Sequence, residues 1–275
     1  MLFSRLTSHR RVVTAATAAV ALALGLTLGA AGASAAPVVF QAAGPNAASI
    51  QGTVDAYRAE LGTLNANEPG SRGSGRREIN WDGVPDEFAD PNPFPPDFFN
   101  ANLSGRARGA VFSRPSGGFL VSADADNPTD TRVRFSSINP TYAAQFATFS
   151  PERLFTAAPR AGRGNITDVT FFIPGRRTRA ATTGFGAVFT DVDLRQRTKL
   201  EFFDRQGRLL RRQFVPHAPG ARGLSFAGVA FDTAVVWRVR ITSGNIGLGP
   251  NDAPGAGRDG RDVAVMDDFI YGEPR

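Results

Sequence analysis

The 275-residue chain is predicted to be a mainly-β protein, an antiparallel jelly roll or β-sandwich with one N-terminal amphipathic helix. Three observations carry this expectation. Short apolar runs with period-two alternation fill the second half, separated by turn residues at roughly ten-residue spacing. Phe is over-used, at 22 residues against 2 Trp and 3 Tyr, beside 30 Gly and 19 Pro, which favours short strands and many turns over long helices. Strands and helices do not alternate in the βαβ manner that would announce a parallel sheet.

Residues 1–35 read as a secretory signal. Arg5, His9, Arg10 and Arg11 form a basic start, Val12 to Leu28 is an Ala/Leu/Val run, and Ala33-Ser34-Ala35 offers small residues for cleavage. Arg10-Arg11 leaves the export route open between a general and a twin-arginine signal. After residue 40 no apolar run reaches the roughly 18 residues that a membrane span needs, so the mature chain is expected to carry no span. Residues 36–77 are expected to hold a helix and a linker. Ile50, Val54, Tyr57, Leu61 and Leu64 recur at helical spacing over Ala47 to Leu64, with Asn46 as cap. Ser71-Arg72-Gly73-Ser74-Gly75 then reads as a flexible linker.

The β-sandwich domain is placed at residues 78–275. Glu78 to Trp81 is the expected opening strand, closed by the Asp82-Gly83 turn. The Phe-rich segment from Val84 to Phe99 is too apolar to stand in solvent and is expected to lie across the sandwich or line a groove. Val111–Ser113 and Gly118–Ser122 read as a hairpin, and Arg132 to Phe135 as a strand with Val133 and Phe135 on one face. Residues 136–165 resist assignment. Strands then follow at Asp168–Ile173, Gly184–Val192, Thr198–Phe203, Arg208–Phe214, Leu224–Phe231 and Val235–Ile241. The two on either side of Asp204-Arg205-Gln206-Gly207 form a hairpin. In the Val235 strand, Val235, Trp237, Val239 and Ile241 are expected inside. Asp262 to Pro274 is the closing strand.

Composition removes several functions. With no Cys, disulfides, thiolate catalysis and Cys-ligated metal centres are excluded. The net charge of +6 falls when the signal's three Arg are set aside, leaving 28 basic against 25 acidic residues. The remaining Arg are scattered among acids, the pattern of a solvated sandwich surface and not of a phosphate-binding stripe, so nucleic acid is not the expected partner. His217 is the only His after the signal and stands in a Pro-flanked turn. It has no G-x-S-x-G elbow to serve, and one His rules out His-rich zinc sites.

Charge inside the closing strand is the sharpest chemical signal. Asp267 and Asp268 interrupt an apolar run, and period two places one of them on the covered face. A buried carboxylate needs a partner, a metal or a raised pKa, and a hard cation such as Ca²⁺ would satisfy it through oxygen ligands. The expected metal set is Asp267, Asp268, Asn80 and Asp262, with Asp252 and Asp259 as further contributors. For a ligand, Trp81, Asp82 and Tyr142 are the candidate contacts, Trp81 being the best placed of the scarce amphipathic aromatics.

The runs GFGAVFTDVD, LEFFDRQGRLL, LSFAGVAF, VVWRVRITSGN and VMDDFIYGEP, with GRREINWDGVPD ahead of them, resemble the jelly-roll, galactose-binding-like modules of exported bacterial proteins. The resemblance extends over about Glu78 to Pro274. It implies carbohydrate binding, such as a polysaccharide or cell-surface glycan, and a structural Ca²⁺ beside an Asp of the final strand, here Asp267 or Asp268. A non-catalytic, extracellular binding protein is therefore expected. The alternatives are a glycan-acting hydrolase with paired carboxylates far apart in sequence, and an adhesive surface protein that binds another protein.

Overall fold

The computed structural model describes Met1 and residues 36–159, 165–255 and 260–275. The predicted signal (apart from Met1) and Asp259 lie outside the described residues. Fourteen elements follow in order: β1 (Val38–Gly44), α1 (Ala47–Leu61), β2 (Arg76–Ile79), β3 (Ala110–Ser113), β4 (Phe119–Val121), α2 (Tyr142–Gln145), β5 (Phe155–Ala157), β6 (Ile166–Phe171), β7 (Gly184–Thr190), β8 (Lys199–Phe203), β9 (Leu209–Phe214), β10 (Leu224–Ala230), β11 (Arg238–Thr242) and β12 (Val265–Gly272). Among the described residues they build two antiparallel sheets. The larger runs β1-β10-β7-β12-β5-β4, with β2 also on β12, and the smaller runs β3-β6-β11-β8-β9. The protein is a β-sandwich.

Alternation explains the core. Phe185, Ala187 and Phe189 of β7, Ala227 and Val229 of β10, and Val239 and Ile241 of β11 point between the sheets, where Trp81 joins them. The Phe-rich segment does lie over this core: Phe94, Phe98 and Phe99 are buried in it, and Phe94 pairs with Phe119 of β4.

The outer face of the larger sheet is also covered. Val188, Phe226 and Ile270 meet Ile50, Val54, Tyr57 and Leu61 of α1. Asn46 caps the helix by accepting from the Ser49 amide at 3.1 Å, as its spacing predicts. The helix ends at Leu61, earlier than expected, because Gly62 takes the left-handed φ of 90° that closes a C-terminus; Leu64 is left 52% exposed. Tyr57 is seated by the absence of side chains beneath it. A Cβ on Gly186 would stand 2.8 Å from the Tyr57 ring and one on Gly228 3.0 Å from it, so facing glycines on β7 and β10 form the groove the helix occupies.

Four expectations need correction. The 111–122 hairpin does not exist: β3 pairs β6 in one sheet and β4 pairs β5 in the other, so the connection crosses the sandwich. Residues 133–138 form turns in place of the expected 132–135 strand, with Arg134 and Phe135 at φ 52° and 61°, a conformation no strand admits. Val236 takes the inside place in its segment and is fully buried. Trp237, expected inside, is half-buried with the Arg205 guanidinium over its ring, since regular pairing with both neighbours begins only at Arg238. The segment read as a flexible linker is tied down: Arg72 N donates to Glu273 Oε1 at 3.0 Å and Glu273 N to Gly75 O at 2.8 Å. The strand β1, unassigned from sequence, pairs along its full length with β10.

The Arg pattern behaves as its scattering predicts. Arg240 makes a bidentate pair with Asp168 at 2.8 and 2.9 Å, and Arg212 meets Glu201 at 2.8 Å. Acids and bases thus alternate across strands of the smaller sheet. No helix among the described residues is long and apolar enough to cross a membrane.

Candidate functional site

Where β7 ends, the chain turns sharply. Thr190 is its last residue, and Asp191 adopts φ 65°, a region that Asp tolerates better than most residues. Its amide donates to Gly223 O at 2.9 Å. The turn brings Asp191 and Asp193 beside Asp252 of the long loop between β11 and β12. Carboxylate oxygens of these three residues lie within 4.8 Å of one another, so the cluster has the geometry to hold a metal ion.

That long loop is held from several sides. Tyr142 Oη donates to Pro250 O and accepts from Gly249 N, both at 2.8 Å, and Asn139 Nδ2 donates to Asn251 Oδ1 at 2.7 Å. Asn245 and Asp262 close the loop's base, Asn245 N donating to Asp262 O and Asp262 N to Asn245 Oδ1, each at 2.9 Å. The Asp262 carboxylate in turn accepts from Leu194 N at 3.1 Å and Asp193 N at 3.3 Å. Asp262 therefore fixes the turn that carries Asp193. Asp252 accepts from Val263 N at 2.9 Å, and Asp193 from Gly220 N at 2.8 Å.

Like charges gathered under partial burial resist ionisation. Burial first, then Asp193, raises Asp191 to about 8 despite a hydrogen bond from Gln145 Nε2 at 2.5 Å. Burial likewise raises Asp262 to about 7 and Asp252 to about 6, with Asp193 contributing to both. Among the described residues none of these four acids forms an ion pair with Lys or Arg. Only oxygen donors converge, which is the ligand chemistry of a hard divalent cation.

The expected metal set is split by this geometry. Asp262 stands beside the cluster, whereas Asp267, Asp268 and Asn80 gather elsewhere. The register of β12 against β7 shifts between Met266 and Phe269, so the period-two expectation fails: a bulge turns both carboxylates toward the outer face of the sheet. Both are buried. Asp267 accepts from Phe149 N at 2.6 Å, and Asp268 accepts from Ser150 Oγ at 2.7 Å and faces Arg58 at 3.5 Å. Burial and mutual repulsion raise Asp267 well above the ordinary range, and burial lifts Asp268 to about 6.

The ligand candidates are structural in position. Trp81 is fully buried, stacks on Phe155 with centroids 4.0 Å apart, and donates from Nε1 to Asp267 O at 2.8 Å. It presents no face to a ligand, because the bulge carbonyl and the inter-sheet core claim both its polar edge and its rings. Tyr142 is fully buried and holds the Asp252 loop, as described above. Asp82 accepts from Glu152 N at 2.5 Å and Arg153 N at 3.0 Å, anchoring the loop that leads into β5.

Sequence reading missed Asp191 and Asp193. Their signal was the Asp-x-Asp pair just past an apolar strand, where acids gather at the turn that ends it. Comparison with known proteins returns no match: no family model, no curated protein and no solved structure matches the chain.

Proposed function

We propose that the chain is an exported, non-catalytic β-sandwich binding protein that holds a calcium ion at Asp191, Asp193 and Asp252 and takes carbohydrate as its ligand. The observation that carries the cation is the convergence of three carboxylates, two of them with raised pKa, and no basic partner among the described residues. A divalent cation neutralises that repulsion and ties the β7 turn to the β11–β12 loop. Calcium suits the cluster better than magnesium because loop-borne carboxylates supply irregular oxygen geometry, which calcium accepts. Asp262, whose oxygens already receive two amides, orients the turn and is not needed as a ligand.

Export is supported by the basic, apolar and small-residue order of residues 1–35. The carbohydrate reading rests on the resemblance of the strand runs to galactose-binding-like modules, with which the sandwich is compatible. Hydrolysis is the weaker reading. Asp267 is sealed from solvent and Glu78 is taken up by Arg58 at 2.9 Å and Arg76 at 2.6 Å, so neither of these two acids is free to act on a substrate. The test is a glycan array run with the calcium-loaded protein. Binding to a defined group of glycans supports the reading, and a blank array with a folded, calcium-loaded protein overturns it.

A further inference from the structure

A polar cleft of about 290 Å³ opens on the outer face of the larger sheet, beside the bulge of β12. Asp268, Ser150, Asn80, Arg108, Asn67 and the exposed side chain of Leu64 line it, with the Arg58–Glu78 ion pair also in its wall. We propose that this cleft binds the terminal residue of an acidic glycan, a hexuronate, with its carboxylate on Arg108 and its hydroxyls on Asp268, Ser150 and Asn80. The proposal rests on the carbohydrate reading above and adds to it the place and the charge of the sugar.

Arg108 is the cation free to take the carboxylate. Its guanidinium lies over the Phe99 ring at 4.6 Å, Nη1 donates to Glu78 O at 2.9 Å and Nε to Gly105 O at 3.2 Å. Both bonds end on backbone carbonyls, and among the described residues Arg108 has no carboxylate partner. The three N–H donors that remain on its planar guanidinium suit a carboxylate. Arg58, by contrast, is already committed to Glu78 and Asp55.

Acceptors for hydroxyls stand nearby. Asp268 keeps lone pairs beyond its bond from Ser150, its contact with Arg58 being long at 3.5 Å. Asn67 also lines the cleft. Glu78, whose carbonyl holds Arg108, is two residues from Asn80. On extended chain that separation is about 7 Å, close to the width of a pyranose ring. Leu64 offers an apolar wall for the ring's C–H face. The volume holds one sugar and not a chain passing through, which points to recognition of a glycan end.

The experiment is an NMR titration of ¹⁵N-labelled, calcium-loaded protein with methyl β-glucuronoside, methyl β-glucoside and acetate in parallel. The glucuronoside should shift the amides of Asn67, Asn80, Arg108, Ser150 and Asp268, and bind at least tenfold more tightly than the glucoside or acetate. Arg108→Gln should remove that preference, and Ser150→Ala should weaken glucuronoside binding while leaving the preference over glucoside in place. Should Arg108→Gln fail to fold, a fall in glucuronoside affinity with added salt in the unaltered protein reads the same contact. Equal binding of glucoside or acetate at the cleft overturns the hexuronate assignment. Shifts confined to another surface overturn the cleft but leave the carbohydrate reading intact. An array and a titration that are both blank overturn both.

Discussion

Replacing Asp191 with Asn should stabilise the metal-free protein and abolish its response to calcium. The swap keeps the shape of the side chain, and Asn tolerates the left-handed φ of 65° as Asp does. Its amide oxygen can still accept from Gln145 Nε2. What changes is the proton. Asp191 is raised to about 8 in the folded protein from an ordinary 3.8, so near pH 7 the metal-free fold must hold a proton that the unfolded chain has released. At 1.36 kcal/mol per unit, holding it from the unfolded value up to pH 7 costs about 4 kcal/mol. Neighbouring Asp193, Asp252 and Asp262 supply part of this shift, and they relax as a group when one acid is neutralised, which leaves an expected gain of about 1–3 kcal/mol for Asp191→Asn. The assay is urea unfolding in EDTA at pH 7, followed by the fluorescence of the buried Trp81. The gain should shrink toward pH 4, where the unfolded chain also holds the proton. With calcium present the order reverses, because only the unaltered protein gains a ligand. A variant that loses more than about 1 kcal/mol in EDTA, beyond the scatter of ordinary surface changes, or that gains as much from calcium as the parent, refutes the reasoning.

Three further outcomes follow from the same structure. Gly186→Ala would push a methyl to 2.8 Å from Tyr57 and should cost about 1–3 kcal/mol through overpacking; Tyr57→Leu in the same chain should recover part of the loss, read by thermal melting. Arg77→Ala strips the charged partner from buried Glu273, which receives two bonds from it at 2.6 and 2.9 Å, and should cost about 3–5 kcal/mol; a loss below about 1 kcal/mol in urea melts contradicts that pairing. In EDTA, stability should fall as pH rises from about 4 to 8. Raised folded pKa values mean that the fold binds more protons than the unfolded chain across this window, from Asp252 and Asp268 at about 6 to Asp262 at about 7 and Asp191 at about 8. Calcium should flatten the part above pH 6, and a stability that rises through the window in EDTA would refute the assignment.

The parts of the fold that local chemistry dictates were legible. The β8–β9 hairpin shows in two alternating runs around Asp204–Gly207, where Gly207 adopts φ 78°. The helix α1 shows in its cap and apolar face, β10 in its largely apolar run, and β12 in an apolar run broken by Asp267 and Asp268. Illegible parts depend on distant partners. The strand β1, reading VVFQAAG, alternates too weakly to stand out and is a strand because β10 offers it an edge. The three-residue β5 is too short to carry a period. The β12 bulge arises where its outer neighbour changes from β5 at Met266 to β2 at Phe269, and no single-strand pattern encodes that change. Period two places only one of Asp267 and Asp268 on the covered face; the bulge buries both and gives them Phe149, Ser150 and Arg58. The cation cluster joins Asp191 to Asp252 across two loops, and only the short Asp191-x-Asp193 spacing was visible beforehand.

The most direct measurement is calorimetric titration of calcium into the EDTA-stripped, unaltered protein, repeated with magnesium. One equivalent of calcium should bind with release of protons near pH 7, because Asp191 and its neighbours ionise as the ion enters, and magnesium should bind more weakly. No binding of calcium at millimolar concentration, by a protein whose fold is verified in the same buffer, would contradict the central claim.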